Sequence, residues 1–338
     1  MRTLFRILLL GALVGLSSGQ AVGEKPTLVR LSFTSGWDAL PAIVATERGF
    51  FHGENLVVSG MASSKPIAVM NSIAAGSTDF AAVPQRTLLV MAAANLPIKV
   101  VGKNGWGIQM ELVVATDNKT ISSVGDLKGK VVAIGPASEA YPVFVRLLNS
   151  AGLRPSDLTI RFLAGDDLVA VFKKKLADAM FETRYYTSAL VSSDQARVVL
   201  SNKDISDALG TIIALPLVAN ARLAENDPQT VQRFLNAWVK ALVYIQQDPA
   251  DAAQLMRLFF HRQGTPVSEK LARSWVTFRR YDRYTWSDDD IADAEYNGWG
   301  LVEGRILKVS PKLSGFIDNT FATKAWDSLR THEHESPH

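Results

Sequence analysis

The chain has 338 residues, 47% hydrophobic and 20% charged, enough for about two globular domains with a proper core. It has no cysteine, which excludes zinc–thiolate sites, cysteine nucleophiles and a lipid-bearing cysteine. The formal charge of +3 falls to +1 without Arg2 and Arg6, and the basic runs "KKK" (173–175) and "RRYDRY" (279–284) read as solvated faces, so no nucleic-acid partner is expected.

The first 21 residues, "MRTLFRILLLGALVGLSSGQA", join two arginines, a short apolar run and small residues. The apolar run falls short of the ~20 residues that span a bilayer. The pattern reads as a cleaved secretory signal, with an uncleaved anchor as the alternative. "TLVRLSF" then alternates as a strand, and "ALPAIVATERGFF" is helical to Gly49, which suits a left-handed cap. Next come the strand "NLVVSGM", a helix in "ASSKPIAVMNSIAAG", the short buried strand "DFAAV", the helix "RTLLVMAAANL" and the strand "IKVVGKNGW". Strands alternating with helices indicate α/β units around a mostly parallel sheet.

A second set starts near Glu111. It runs "ELVVAT", "VVAIG", a helix in "PASEAYPVFVRLLNSAG", "LTIRFL", "DDLVAVFKKKL", "DAMFE", "YYTSALVSS" and "ARVVLS", and is closed by the strand "TIIALPLVAN". From Asn226 the pattern is helical. "NDPQTVQRFLNAWVKALVYIQQ" and "DPADAAQLMRLFFHRQG" each open with a polar cap followed by proline. In "SDDDIADAEYNGWGLVEGRIL", Ser287 is a cap and Asp288 to Asp290 suit the helix dipole better than a metal or acid–base site. The tail "RTHEHESPH" reads as a disordered terminus.

The two sets repeat one passage: a helix runs into a strand that starts at Asp79 or Asp178 and empties into a turn carrying an arginine. Such turns, beyond the carboxyl ends of parallel strands, form the ligand crevice of open α/β sheets. The two aspartates are expected to brace the turns. The stretch "WDALPAIVATERGFF…NLVVSG…KPIAVMNSIAAGSTDFAAV…DLKGKVVAIG…DLVAVFKKKLADAMFE" resembles the substrate-binding proteins of ABC importers in the alkanesulfonate, nitrate and thiamine-precursor group. The resemblance runs from Thr27 to about Leu307 and rests on the order and spacing of motifs that are individually common.

That resemblance implies the type II periplasmic binding protein fold: two α/β lobes, each a mostly parallel sheet flanked by helices, joined by two hinge strands near 111–116 and 211–220. The expected division is a signal at 1–21, the first lobe at 22–111 and 212–330, the second lobe at 112–211 and a disordered tail at 331–338. The C-terminal helices would pack back on the first lobe. The resemblance further implies a periplasmic monomer that passes a small-molecule solute to an inner-membrane permease and its ATPase. No cofactor, metal or catalytic residue is expected.

Four turns are candidates for the ligand site: Ser35, Trp37 and Asp38; Ser63 and Ser64; Ser138, Glu139 and Tyr141; and Gln85 with Arg86 opposite Glu182, Thr183 and Arg184. Helix N-termini, aromatic faces and a few charges are the means by which such clefts hold solutes. Trp37 packed on its own helix, and the serines as plain N-caps, are the structural alternatives. Asp38, Glu139 and Glu182 are acids in candidate cleft turns, so an inward-pointing one must be paired or meet a donor on the ligand. They favour an organic ligand with an amine or N-heterocycle, such as a pyrimidine, over a bare oxyanion, with a sulfonate also in range. An enzyme of the same fold, acting in a pyrimidine or menaquinone precursor pathway, and a solute-sensing subunit are the competing readings. Before the tail, the only histidines are His52 and His261, and no nucleophile-elbow or phosphate-loop pattern occurs.

Overall fold

The structure is a computed structural model that describes residues 6–7, 25–33, 36–63, 66–135, 140–163, 166–210, 213–277 and 279–335. Among the described residues eleven strands form two sheets. The first is built from β1 (Arg6–Ile7), β2 (Thr27–Phe33), β3 (Leu56–Ala62), β4 (Phe80–Ala82), β5 (Ile98–Trp106) and, after an excursion, β11 (Ala214–Asn220). The excursion builds the second from β6 (Met110–Ala115), β7 (Val131–Ile134), β8 (Thr159–Phe162), β9 (Ala179–Thr183) and β10 (Ala196–Leu200). Their spatial orders are β1-β3-β2-β4-β11-β5 and β10-β6-β9-β7-β8.

Both sheets are mixed, where the alternation had suggested mostly parallel ones. β3, β2 and β4 run parallel, as do β8, β7 and β9. The strands that carry the chain between sheets run the other way: β11 is antiparallel to β4 and β5, and β6 is antiparallel to β9 and β10. Periodicity reports burial and is silent on direction. The chain leaves the first sheet after Trp106, enters the second at Met110 and re-enters the first at Ala214. The first crossing thus lies just before the expected 111–116, and the second, between Leu209 and Ala214, overlaps the start of the expected 211–220, the rest of both ranges being mostly paired strand. Gly107 N–H donates to Ile213 O at 2.9 Å, so the two crossings touch.

Among the described residues fourteen helices cover the sheets. Those of the first half are α1 (Leu40–Glu47), α2 (Phe50–Gly53), α3 (Pro66–Ala74) and α4 (Gln85–Ala93). Gly49 takes φ +70 between α1 and α2, the left-handed turn anticipated for it. The excursion holds α5 (Ala140–Ser150), α6 (Asp166–Lys173), α7 (Arg184–Ser192) and α8 (Asn202–Leu209). After β11 come α9 (Ala221–Asn226), α10 (Pro228–Gln247), α11 (Pro249–Arg262), α12 (Glu269–Thr277), α13 (Asp288–Glu303) and α14 (Thr320–Glu335). Asp227 and Asp248 cap α10 and α11 ahead of their prolines, and Ser287 with Asp290 forms a reciprocal capping box on α13. Helix α14 runs on through Glu335, into the residues read from sequence as a disordered tail.

The first lobe's core joins distant parts of the chain: Phe33, Ile43 and Phe80 pack with Phe234, Trp238 and Phe259. Phe80 and Phe234 stack at 3.9 Å between ring centroids. The second lobe's main core is formed largely by residues of the excursion, among them Leu112, Val132, Phe144 and Phe181. The C-terminal helices pack on the first lobe as expected, but two of them also reach the second: α12 touches α7 and α13 touches α5.

A buried ion pair fixes α13: Lys103 Nζ of β5 lies 2.7 Å from Asp290 Oδ2. Burial pushes the Lys103 ammonium below its ordinary range, against the pull of Asp290. In the basic run 279–284 Arg280 and Arg283 are exposed, as a solvated face requires, with their guanidinium groups each 4.4 Å from the Trp106 ring centroid, while Arg279 is buried. β1 pairs with β3 at Ile7↔Gly60 and Arg6↔Met61, and the rest of the expected signal segment lies outside the described residues. Among the described residues no helix is long and apolar enough to cross a membrane.

Candidate functional site

The bracing aspartates behave alike in both lobes. Asp79 Oδ2 accepts from the backbone N–H of Arg30 in β2 at 2.8 Å, and Asp79 N–H donates to Arg30 O at 2.9 Å. Asp178 Oδ2 accepts from Val131 N–H in β7, and Asp178 N–H donates to Val131 O, both at 2.8 Å. Each aspartate pins the start of β4 or β9 to its parallel neighbour, which fixes where that strand ends. Four residues on, Val83 and Glu182 occupy equivalent places, followed by α4 and α7.

The two strand ends lie at the crossings. Val83 N–H donates to Pro216 O at 3.4 Å, while Thr183 is in register with Met110 and Arg184 N–H donates to Gln109 O at 2.7 Å. The described strand ends at 83–86 and 183–186 therefore both lie beside the crossings between the two sheets. The N-caps of α4 and α7, Pro84 and Thr183, make no side-chain bond to the first turn. Both helices start at these strand ends, where a helix N-terminus carries partial positive charge.

The candidate residues fall into three groups. Ser35, Ser64, Ser138 and Glu139 lie outside the described residues, and Trp37 is described only by its backbone, in the 3-10 turn Gly36–Ala39. Ser63 follows β3 and donates its N–H to Phe33 O at 2.9 Å. The rest take part in networks within the protein. Asp38 is buried with its Oδ1 2.5 Å from Arg279. Glu182 is fully buried: its Oε2 accepts from Gly135 N–H at 2.7 Å and its Oε1 from Thr183 N–H at 2.8 Å. The two carboxylates thus meet their charge requirement inside the protein, and the need for a cationic ligand that they had suggested disappears for both.

Gln85 is buried; its Oε1 accepts from Asn297 Nδ2 at 2.8 Å and its Nε2 donates to Ala214 O at 3.4 Å. Arg184 Nε lies 3.1 Å from Glu111 Oε1, whose other oxygen accepts from Thr187 Oγ1 at 2.7 Å. Tyr141 packs away from the turns: its ring meets Phe162 edge-on at 5.1 Å and lies against Gly304 of the segment after α13. Burial, with Glu303 nearby, raises the Tyr141 phenol above its ordinary range.

Four residues of these networks are absent from the candidate site drawn from the sequence: Arg279, Asn297, Glu111 and Arg146. Arg279 had a signal in its aromatic neighbours. Tyr281 beside it is pushed up to about 12 by burial, with Arg279 lowering and Asp38 raising it. Arg146 of α5 binds Asn297 and Asp293 of α13, a contact between lobes that no local pattern announces. His52 and His261 are exposed and lie in α2 and α11, away from these turns. Among the described residues no group of three or more His, Cys, Asp or Glu could hold a metal ion.

The chain is 24% identical over 317 residues to a Bacillus subtilis (strain 168) protein named for binding aliphatic sulfonates, covering 93% of each chain. It is 22% identical over 265 residues to a 4-amino-5-hydroxymethyl-2-methylpyrimidine phosphate synthase of Aspergillus parasiticus, covering 74% of this chain and 77% of that one. The crystal structure of the periplasmic aliphatic sulphonate binding protein SsuA from Escherichia coli superposes with a TM-score of 0.75 at 19% identity, over 87% of this chain and 92% of that one. The periplasmic binding protein fold is thereby shared. The model of the NMT1/THI5 like family matches residues 37–252 of the 338, and the protein belongs to that family.

Proposed function

We propose that this protein is the extracytoplasmic solute-binding component of an ABC importer, and that its solute is a small organic anion of the sulfonate type. The observation that carries this reading is the pairing of the cleft acids. With Asp38 bonded to Arg279 and Glu182 bonded to two backbone N–H groups, the described turns present helix N-termini, and no uncompensated acid among them, to a ligand. The anionic head lies between the first turns of α4 and α7, beside Arg86 and Arg184, with Trp37, Ser63, Ser64, Ser138 and Glu139 completing the site. Thr183 positions the start of α7. The relatives named for sulfonate binding support the same class.

Binding works by population shift. The solute bridges the two lobes, favours the closed arrangement by its differential affinity for it, and the closed protein is what a membrane permease, driven by its ATPase, reads. The protein acts as a monomer, exported by cleavage of the N-terminal segment, with hinges at the two crossings. The exposed histidines outside the cleft favour holding over catalysis.

Isothermal calorimetry on the purified protein tests the proposal with ethanesulfonate, taurine, 4-amino-5-hydroxymethyl-2-methylpyrimidine and nitrate. Saturable heat is expected with the sulfonates and none with nitrate. Binding of the pyrimidine with no response to either sulfonate, or turnover of any bound compound, would overturn it.

A further inference from the structure

Helix α13 belongs to the first lobe by its anchor, since the buried Lys103–Asp290 pair ties its N-terminus to β5. Two turns later it meets the second lobe. Arg146 NH1 of α5 lies 2.9 Å from Asp293 Oδ1 and 2.7 Å from Asn297 Oδ1, and its guanidinium sits 4.7 Å over the Tyr296 ring. The contact is close along its length because it is made at glycines: a Cβ on Gly300 would come within 2.9 Å of Pro142 Cα. Asn297 is buried and faces both ways. Its carbonyl oxygen accepts from Arg146 and its amide nitrogen donates to Gln85 Oε1 at 2.8 Å.

The ends of this chain bracket the second crossing. Arg146 NH2 donates to Leu209 O, before the crossing, and Gln85 Nε2 donates to Ala214 O, after it, each at 3.4 Å. A rotation of the lobes that moves Leu209 against Ala214 breaks or stretches the chain. Between α7 and α12, by contrast, the lobes leave a groove of about 400 Å³, lined in part by Arg184, Ser188, Lys270 and Leu271, so the tight seam is the one between α5 and α13.

We infer that Arg146–Asn297–Gln85 is a closure relay, in which docking of Arg146 on α13 sets the orientation of Gln85 at the ligand edge. Asn297 is the positioning residue. Only the statement that Gln85 borders the ligand rests on the proposed site. The relay itself is a property of the protein without solute, and it is tested without one.

The chain has no cysteine, so Lys174→Cys and Lys324→Cys, exposed sites on opposite lobes, accept a pair of spin labels. Distances by double electron–electron resonance are compared for the labelled parent and its Arg146→Met and Asn297→Ala forms. Both substitutions are expected to add or enlarge a longer-distance population. In parallel, the Gln85 side-chain amide resonance, assigned with Gln85→Leu, is expected to shift in Arg146→Met through Asn297. Identical distances in all three proteins, or an unmoved Gln85 amide in Arg146→Met, would overturn the relay. Circular dichroism melts identify any variant that has lost its fold, and Asn297→Asp, which keeps an acceptor for Arg146 but loses the donor to Gln85, then decides: it is expected to keep the parent distances while shifting the Gln85 amide, and failure of either overturns the relay.

Discussion

Glu182 shows how a residue can be found in the sequence and misread there. Counting four positions from Asp178 placed it correctly at the mouth of the turn, but charge alone suggested that it faced a ligand. In the fold both of its oxygens accept from the backbone, at Gly135 and Thr183, and so hold the turn after β7 to the end of β9. Orientation could not be read because a strand-end acid and a ligand-facing acid have the same local pattern. Asp79 and Asp178 were legible for the opposite reason: each bonds to the parallel strand beside its own start, a role that repeats with the repeat. Glu182→Ala should cost about 2–4 kcal/mol, since two buried N–H groups lose a charged acceptor, and Glu182→Gln, which keeps one acceptor oxygen, should cost less. Chemical denaturation of both variants checks this. An alanine variant as stable as the parent would show that Glu182 does not hold the turn.

At the scale of elements, capping made the helical region readable. Asp–Pro pairs and Ser287 give the starts of α10, α11 and α13 as observed. The second use of α13 was less visible, though its sequence carries a signal. Gly298, Gly300 and Gly304 fall in or just after one helix, where each glycine costs roughly 1 kcal/mol relative to alanine. A helix that keeps such residues is explained by a close neighbour, and the neighbours are Ser310, Pro142 and Tyr141. Gly300→Ala therefore gains helix propensity and still loses stability. Its Cβ would meet Pro142 Cα, a backbone atom that cannot swing aside, at 2.9 Å. Overpacking of this kind costs about 1–3 kcal/mol. The melting temperature should fall, whereas an alanine that raises it would mean that α5 and α13 part freely.

For the whole molecule, the order of α/β units was legible because helical and strand periods differ, and the two-lobed plan followed from the repeat. Strand direction was not legible, and with it went the mixed character of both sheets. The topology has a consequence for folding. The first lobe's core is shared between residues 29–101 and 217–325, so neither half can bury its apolar face alone. The second lobe's residues 108–210 are continuous in sequence and supply nearly all of both their cores, with only Ile213 and Leu215 added from beyond. At about a hundred residues this segment is large enough for an independent core. A fragment spanning 108–210 should fold cooperatively on its own, with dispersed amide resonances and a sigmoidal urea transition, while a fragment spanning 25–106 should not. The isolated second lobe exposes Tyr141 and the α5 face that α13 covers, so it should be less stable than the same lobe in the intact chain, where interface burial adds to it. An unfolded 108–210 fragment would mean that this lobe depends on α12 and α13 for its fold, and that the seam with α5 is part of the core.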